Sequence, residues 1–565
     1  MILLLSSQIA PRDSSFNCIL CGAVVEAIDE LLKEQTAEQE INQFLKDVCN
    51  SLNLERPHVC NRLVESFTNE LYFVFERSLL SPNELCSILI KDCGSTIDPF
   101  ADMWNISIPA GKPPVKPWPV VTNGQKKLRV LHLSDIHIDR EYTEGSEADC
   151  MDENWIELFA LCCRNFAPST RTNVTKTPAG HWGSHTNCDI PYRTFENAMK
   201  HISQTHKDLD YIMITGDKEA HDCWDYTKQL TQTNLENITD TLLKYFPNTK
   251  IYESVGNHEG VPQDSMAPHS MEEYETRGPQ WLYSILSKVD IFYTETIFSL
   301  RLGLIGLVKK QSMIRASYVE HPAPGLKLIS INTIYCSSFN FYLYVDQRDP
   351  DGTLEWMIDE LLDSESKGEK VHLIGHIPPG DNYCLKGWAH NFYEIVNRSS
   401  QIITYSVQVY YENSNVNGRP VSFNFITPSL TTYNYNNPAY RIYTIDGGYE
   451  GASYTTIDAE TYTTDIRSAN AQGIEPQWKL EYNMRNEFEM SDLSPSSWNS
   501  LINRLQNDDD LFKKFIRFYY RRDDYNIDCW KTPECRKTFI CSFKAAKSHE
   551  EDLFCSPVSK PNVQS

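Results

Sequence analysis

The residues that could do chemistry in this chain stand at the ends of four apolar runs. Asp135 and His137 close the run from Leu128 to His137, and Asp217 follows Gly216 after Asp210-Tyr-Ile-Met-Ile-Thr. Asn257 and His258 follow Gly256 after Lys250-Ile-Tyr-Glu-Ser-Val, and His376 follows Gly375 after Lys370-Val-His-Leu-Ile. Side chains two apart at a strand end project to the same side, so Asp135 and His137 offer an oxygen and a nitrogen to one ion. A two-metal site needs a carboxylate able to bridge, with imidazole and amide ligands that leave a position for water. One such turn alone reads as an ordinary strand-to-loop junction. Four in one chain read as a site.

The elements that must position these groups follow from the pattern. Leu128, Val130, Leu131 and Leu133 fall within six residues, as in a largely buried strand. The three other runs are similar, and glycine directly before the ligand lets each backbone turn tightly. Between them, Tyr192–Gln204 and Thr353–Leu362 read as helices, and Leu326–Asn332 and Val421–Ile426 as further strands. Strands alternating with helices, with ligands on loops at strand ends, predict a layered α/β sandwich over residues 128–460.

Three segments frame it. Residues 1–17 are a leader in which Met1-Ile-Leu-Leu-Leu5 is too short for a signal-peptide core, so the start of translation is expected upstream or clipped. Residues 18–93 carry six cysteines, Cys18, Cys21, Cys49, Cys60, Cys86 and Cys93, among apolar residues at helical spacing. One stripe is Ile19, Val24, Val25, Ile28, Leu31 and Leu32; another is Leu63, Val64, Phe67, Leu71 and Val74. A small helical domain stapled by disulfides is expected, in any of fifteen pairings. Residues 94–127, with Pro109, Pro113, Pro114, Pro117 and Pro119, read as an extended spacer. Residues 461–565, with Trp498–Leu505 and Leu511–Tyr520 at helical spacing and Cys529, Cys535, Cys541 and Cys555, read as a helical subdomain closed by two disulfides.

Composition narrows the function classes. The 565 residues allow two or three domains. A formal net charge of −24 excludes a basic nucleic-acid surface, and it offers anionic membranes no attraction at neutral pH. Near pH 5 that changes, as the 15 histidines gain charge and carboxylates lose it. Residues 18–93 carry 13 acidic against 6 basic side chains, a net −7, which favours membrane contact at low pH. Seventeen cysteines and four acceptor tripeptides, at Asn105, Asn173, Asn237 and Asn397, point to an oxidising, secreted or lysosomal setting. No run of 18 apolar residues occurs, so no transmembrane helix is expected.

The four ligand turns resemble those of the calcineurin-like metallophosphoesterases. Gly216-Asp217-Lys-Glu-Ala-His221-Asp-Cys-Trp224 and Gly375-His376-Ile-Pro-Pro-Gly380 resemble in particular the acid sphingomyelinases, over about Cys18 to Cys555. The implied fold is α+β and multidomain: a saposin-like all-α domain, the α/β sandwich, and a C-terminal helical subdomain. The resemblance implies a zinc pair, with Asp135 and His137 on the first ion, Asp217 bridging, and Asn257 and His376 on the second. It makes His221 and His258 active-site histidines, with His221 the expected donor of a proton to the departing ceramide oxygen. Tyr433 matches a pocket tyrosine, or is one packed aromatic among Tyr435, Tyr440 and Tyr443.

The saposin spacing implies Cys18–Cys93, Cys21–Cys86 and Cys49–Cys60, and a domain that binds lipid bilayers; a spacer with apolar residues only in its own core is the alternative. Cys150, Cys162, Cys163 and Cys188 match a paired-disulfide loop with a longer gap from Cys150 to Cys162, and Cys336 matches with Cys384. Cys223 is the expected unpaired cysteine.

The resemblance breaks at one place. The family's Gly-His-x-His motif, which gives each ion one more histidine, is absent: after His376 only His390 and His549 remain, and Ser400–Tyr410 reads about ten residues short. Conversely, residues 302–315 read as an insertion. The expected activity is zinc-dependent hydrolysis of sphingomyelin by a monomer. The alternatives are a lipid-binding pseudoenzyme or inactive variant, and a nucleotide phosphodiesterase.

Overall fold

The computed structural model describes residues 14–34, 36–78, 80–89, 93, 104–114, 116–121, 124–151, 160–165, 176–271, 314–400, 408–521, 527–548 and 554. Four strands reach the site: β1 (Lys127–Leu133), β2 (Tyr211–Thr215), β3 (Lys250–Ser254) and β6 (Lys370–Ile374). β4 (Tyr318–Ala323), β5 (Leu326–Ser330), β7 (Tyr410–Tyr411), β8 (Pro420–Ser422), β9 (Ala439–Asp446), β10 (Thr456–Thr463) and β11 (Lys479–Asn483) complete the set. A six-stranded sheet runs β11-β10-β9-β1-β2-β3 and a three-stranded sheet runs β4-β5-β6. β1, β2 and β3 are mutually parallel, as are β5 and β6, so each sheet gathers the carboxyl ends of its parallel strands at one edge.

The apolar runs exist because these strands are covered on both faces. Leu128, Val130, Tyr211 and Met213 face inward and pack with Leu326, Leu328 and Ile374 of the second sheet. Leu131, Leu133, Ile212 and Ile214 face outward, under Phe195 and Ile202 of helix Tyr192–Thr205 and Ile238 and Leu242 of helix Lys228–Tyr245. Ile329 and Val371 of the second sheet are covered by helices Thr353–Lys367 and Lys386–Ser399. The result is helix, sheet, sheet, helix.

Two boundaries differ from the sequence reading. The large sheet runs past residue 460, because β11 pairs antiparallel with β10. That strand is short and half-exposed, so it carries no apolar run. The strand expected over Val421–Ile426 stops at Ser422, where its described partner, Tyr410, begins.

The amino-terminal helices, Ser14–Lys33, Glu38–Ser51, Pro57–Arg77 and Pro82–Leu89, enclose Ile41, Leu45, Leu63, Val64 and Phe67. Cys18 is bonded to Cys93, Cys21 to Cys86 and Cys49 to Cys60. Ile19, counted in the first stripe, is instead 72% exposed. This domain docks on the catalytic one: Phe67 meets Phe341 edge-on at 6.0 Å, Phe73 meets Tyr342 at 5.6 Å, and Arg62 pairs with Asp225. The spacer lies on the sandwich, with Trp104 buried and the Ile106 N–H donating to Asn391 at 2.7 Å.

Elsewhere Cys150 is bonded to Cys162, Cys163 to Cys188, Cys336 to Cys384 and Cys529 to Cys535. Cys541 is disulfide-bonded, its expected partner Cys555 lies outside the described residues, and Cys223 is free and buried. Helices Pro495–Asn507, Asp509–Tyr519 and Pro533–Lys544 form the carboxyl-terminal cap. No helix among the described residues is long and apolar enough to cross a membrane.

Candidate metal centre

The site is built where β2 and β3 end side by side. Gly216 (φ +82°) and Gly256 stand back to back, and a Cβ on Gly216 would come within 2.4 Å of the Gly256 nitrogen. A Cβ on Gly256 would lie 2.1 Å from Asp217 Oδ1, so both positions require glycine. The buried Glu259 carboxylate ties the two turns together, accepting from the backbone N–H of Asp217 (3.0 Å), Lys218 (2.7 Å) and Gly256 (2.6 Å). Asp135, His137 and Asp217 all take left-handed backbone angles (φ 49°, 41° and 59°), a conformation that is costly away from glycine and concentrates at functional sites.

Asp217 is the centre. Its Oδ2 lies 3.2 Å from His376 Nε2, 3.6 Å from His137 Nε2 and 3.9 Å from His258 Nε2. His137 Nε2 is also 4.0 Å from Asp135 Oδ1, and His376 Nε2 is 2.9 Å from Asn257 Oδ1. The far ring nitrogens are anchored: His376 Nδ1 meets the Thr215 carbonyl at 2.7 Å and His137 Nδ1 meets that of Glu219 at 2.6 Å. His221 Nδ1 sits 2.9 and 3.0 Å from the two Asp189 oxygens, and its ring stacks on Tyr433 at 3.8 Å. Tyr433 in turn donates its hydroxyl to the Ala160 carbonyl at 3.1 Å.

The electrostatics are those of an anionic hole. Burial opposes charge on His376, but the Asp217 carboxylate outweighs it and raises the imidazole to about 10. Burial would also raise Asp217, yet His376 and His258 hold it well below the usual carboxylate range. Burial lowers His137, His221 and His258 to about 4, leaving their rings neutral. It raises Asp189 to about 6 and Asp264, which accepts from Ser337 and Asn257, to about 7.

These residues fit a divalent cation. Ligand atoms of Asp135, Asp217 and His376 lie within 4.8 Å of one another, as do those of His137, His221 and His258. The anchored outer nitrogens are the pattern of metal-binding imidazoles, whose second N–H is held by an oxygen acceptor.

All seven residues singled out from the sequence as ligands or active-site histidines gather at this one place, though His137, 3.6 Å from Asp217, is not among those that line its cavity. The others, with Tyr433, line a cavity of about 750 Å³. Asp189, Tyr226, Glu259, Thr431 and Asp264 support the site and were not singled out. Asp189 had a local signal, its place before Ile190-Pro191 and the helix at Tyr192. His390 pairs with Lys547 Nζ at 3.2 Å and does not line the cavity; His549 and residues 401–407, where the missing motif belongs, lie outside the described residues. So does the insertion read at 302–315 up to residue 313. Among the acceptor asparagines, Asn105 and Asn237 are exposed, Asn173 lies outside the described residues, and Asn397 is buried and accepts from Lys112 at 3.0 Å.

The sheet pair and its ligand-bearing turns define a metallophosphoesterase, and residues 128–399 match the family model described as calcineurin-like phosphoesterase. Residues 416–550 match the acid sphingomyelin phosphodiesterase C-terminal region. The chain is 49% identical to sphingomyelin phosphodiesterase 2 of Caenorhabditis elegans, over 97% of this chain and 90% of that protein. It is 35% identical to sphingomyelin phosphodiesterase 1 of the same organism, over 95% and 92%, and 34% identical to human sphingomyelin phosphodiesterase, over 95% and 83%. The chain belongs to the sphingomyelin phosphodiesterase family, a family of hydrolases, and its phosphoesterase domain uses divalent metal.

Proposed function

We propose that this chain hydrolyses sphingomyelin to ceramide and phosphocholine, with zinc held by Asp135, His137, Asp217, Asn257 and His376. The observation that carries the reading is the convergence of His376, His137 and His258 on one buried carboxylate, Asp217, beside a cavity of about 750 Å³. Zinc, when bound, supplies an activated water and neutralises charge on the phosphoryl oxygens.

The chain's own groups do the rest. Asp217 stays anionic between its imidazoles, and Asn257 is oriented by Asp264 at 3.4 Å. His221, held by Asp189 and stacked on Tyr433, is placed to hand a proton to the departing ceramide oxygen in the fraction of molecules that acid protonates at its inward nitrogen, with His258 as the neighbouring ring at 4.7 Å. Phe339, Tyr383, Phe425 and Ile426 line the same cavity and offer apolar surface to a lipid. The amino-terminal helical domain, docked beside the site, is the part that would meet the bilayer. The disulfides and the exposed Asn105 and Asn237 suit a secreted or lysosomal protein.

A second reading, a lipid-binding pseudoenzyme, is favoured by one observation, the absence of the Gly-His-x-His motif after His376. A side-by-side assay separates them: hydrolysis of sphingomyelin vesicles, of a nucleoside triphosphate and of an aryl phosphodiester at about pH 5, with zinc and with chelator. Zinc-dependent phosphocholine release in preference to nucleotide cleavage supports the proposal. Vesicle binding without hydrolysis of any substrate supports the pseudoenzyme.

A further inference from the structure

The three imidazoles on the buried side of Asp217 are arranged alike. His137 sets its Nδ1 against the Glu219 carbonyl at 2.6 Å, and His221 sets its own against Asp189 at 2.9 Å. His258 sets its Nδ1 against the Tyr226 hydroxyl at 2.7 Å. That hydroxyl donates its proton to the Ala220 carbonyl, so toward His258 it is an acceptor. Each ring therefore carries its proton on the outer nitrogen and turns a Nε2 lone pair inward. The ring centroids are 4.1, 4.6 and 4.7 Å apart, and one ligand atom from each ring lies within 4.8 Å of the other two.

We propose that His137, His221 and His258 form an alternative divalent-metal site beside Asp217, one that takes His137 from the Asp135 side, and that filling it withdraws His221 and His258 from proton delivery. Tetrahedral zinc with nitrogen ligands at about 2.0–2.1 Å separates them by about 3.3 Å, so closing the triangle moves each ring by less than about 1 Å. Asp217 Oδ2, 3.6 Å from His137 Nε2 and 3.9 Å from His258 Nε2, supplies the fourth ligand. An oxygen acceptor behind each Nδ1 (a carbonyl for His137, a carboxylate for His221, a hydroxyl for His258) is the outer support that fixes tautomer and ring angle in histidine metal sites. One group competes: the Gln263 amide nitrogen lies 3.0 Å from His258 Nε2 and has to swing aside. The site matters more here than it would with the Gly-His-x-His motif present, because the Asp135 and His137 side has lost the histidine that would otherwise complete its shell.

The binding claim stands on geometry alone; the inhibitory consequence rests on the proposed function. The test is a Co²⁺ titration of the metal-stripped full chain, following the visible absorption that tetrahedral cobalt shows. The wild type is expected to show that band. His221→Gln and His258→Gln should lose it and bind cobalt at least tenfold more weakly at that step, while His376→Ala keeps it. Gln263→Ala, which leaves all three histidines in place, should tighten the step several-fold. Unchanged band and affinity in both histidine variants, or no effect of Gln263→Ala, overturns the site. In parallel, phosphocholine release should fall at zinc concentrations that fill this site. Hydrolysis at no zinc level defeats the sphingomyelinase reading and leaves the cobalt result to decide the site.

Discussion

Replacing Glu259 by Gln tests whether one carboxylate holds the two ligand turns together. Glu259 is 1% exposed; its Oε2 accepts from Asp217 N and Gly256 N, and its Oε1 from Lys218 N. Glutamine has the same shape but one oxygen becomes NH₂, which must face a backbone donor whichever way the amide turns. Turned to keep Asp217 and Gly256, it loses the 2.7 Å bond from Lys218 and leaves that N–H buried without an acceptor. The lost charge-assisted bond is worth about 1.5–3 kcal/mol and the unsatisfied group about 1–3 kcal/mol. The two remaining bonds weaken with the charge gone, so about 3–5 kcal/mol is expected in total. The same turns carry Asp217 and Asn257, so zinc affinity should fall about tenfold or more. Urea denaturation with and without zinc, alongside a zinc titration, measures both. Stability within about 0.5 kcal/mol of wild type, with zinc affinity intact, would refute the clamp.

Asp189→Asn keeps the shape behind His221 but not the charge, so kcat should fall about 10²-fold or more with KM little changed; equal loss in both would make Asp189 merely structural. Burial holds His372 at about 4, below the ordinary 6.5. Its contribution to stability is complete above 6.5 and is lost as pH falls toward 4, because the unfolded chain takes the proton first, at up to about 1.4 kcal/mol per pH unit. His372→Gln should flatten the stability profile over that window by up to one proton, and an unchanged slope counts against it. Phe67, 1% exposed and touching Phe341, anchors the helical domain on the catalytic one. Phe67→Ala should cost about 3–5 kcal/mol and open the amino-terminal helices to protease, whereas wild-type digestion kinetics would deny the docking.

The candidate ligands were legible because they end strands that are buried on both faces. Leu131 and Leu133 pack outward while Leu128 and Val130 pack inward, so β1 reads as a continuous apolar run that stops at Asp135. β11 was not legible for the opposite reason: Lys479 and Leu480 are exposed at a sheet edge, and nothing in their types announces a strand. The strand expected to reach Ile426 ends at Ser422 because ladder length is set by its partner, which Val421 and its neighbours cannot report. The supporting groups were hidden by distance along the chain. Asp189 meets His221 across 32 residues and Thr431 meets Asp189 across 242, so only the folded chain brings them together. Cys223 was expected to stand alone, and it is the free cysteine among the described residues.

The most direct test of the account is the initial rate of phosphocholine release from sphingomyelin vesicles at about pH 5, comparing the full chain with Asp217→Asn, each with zinc and with chelator. Removing the Asp217 carboxylate should lower the zinc-dependent rate by about 10³-fold or more while vesicle binding persists. A rate in Asp217→Asn equal to wild type, or a wild-type rate indifferent to chelation, would contradict a metal centre built on Asp217.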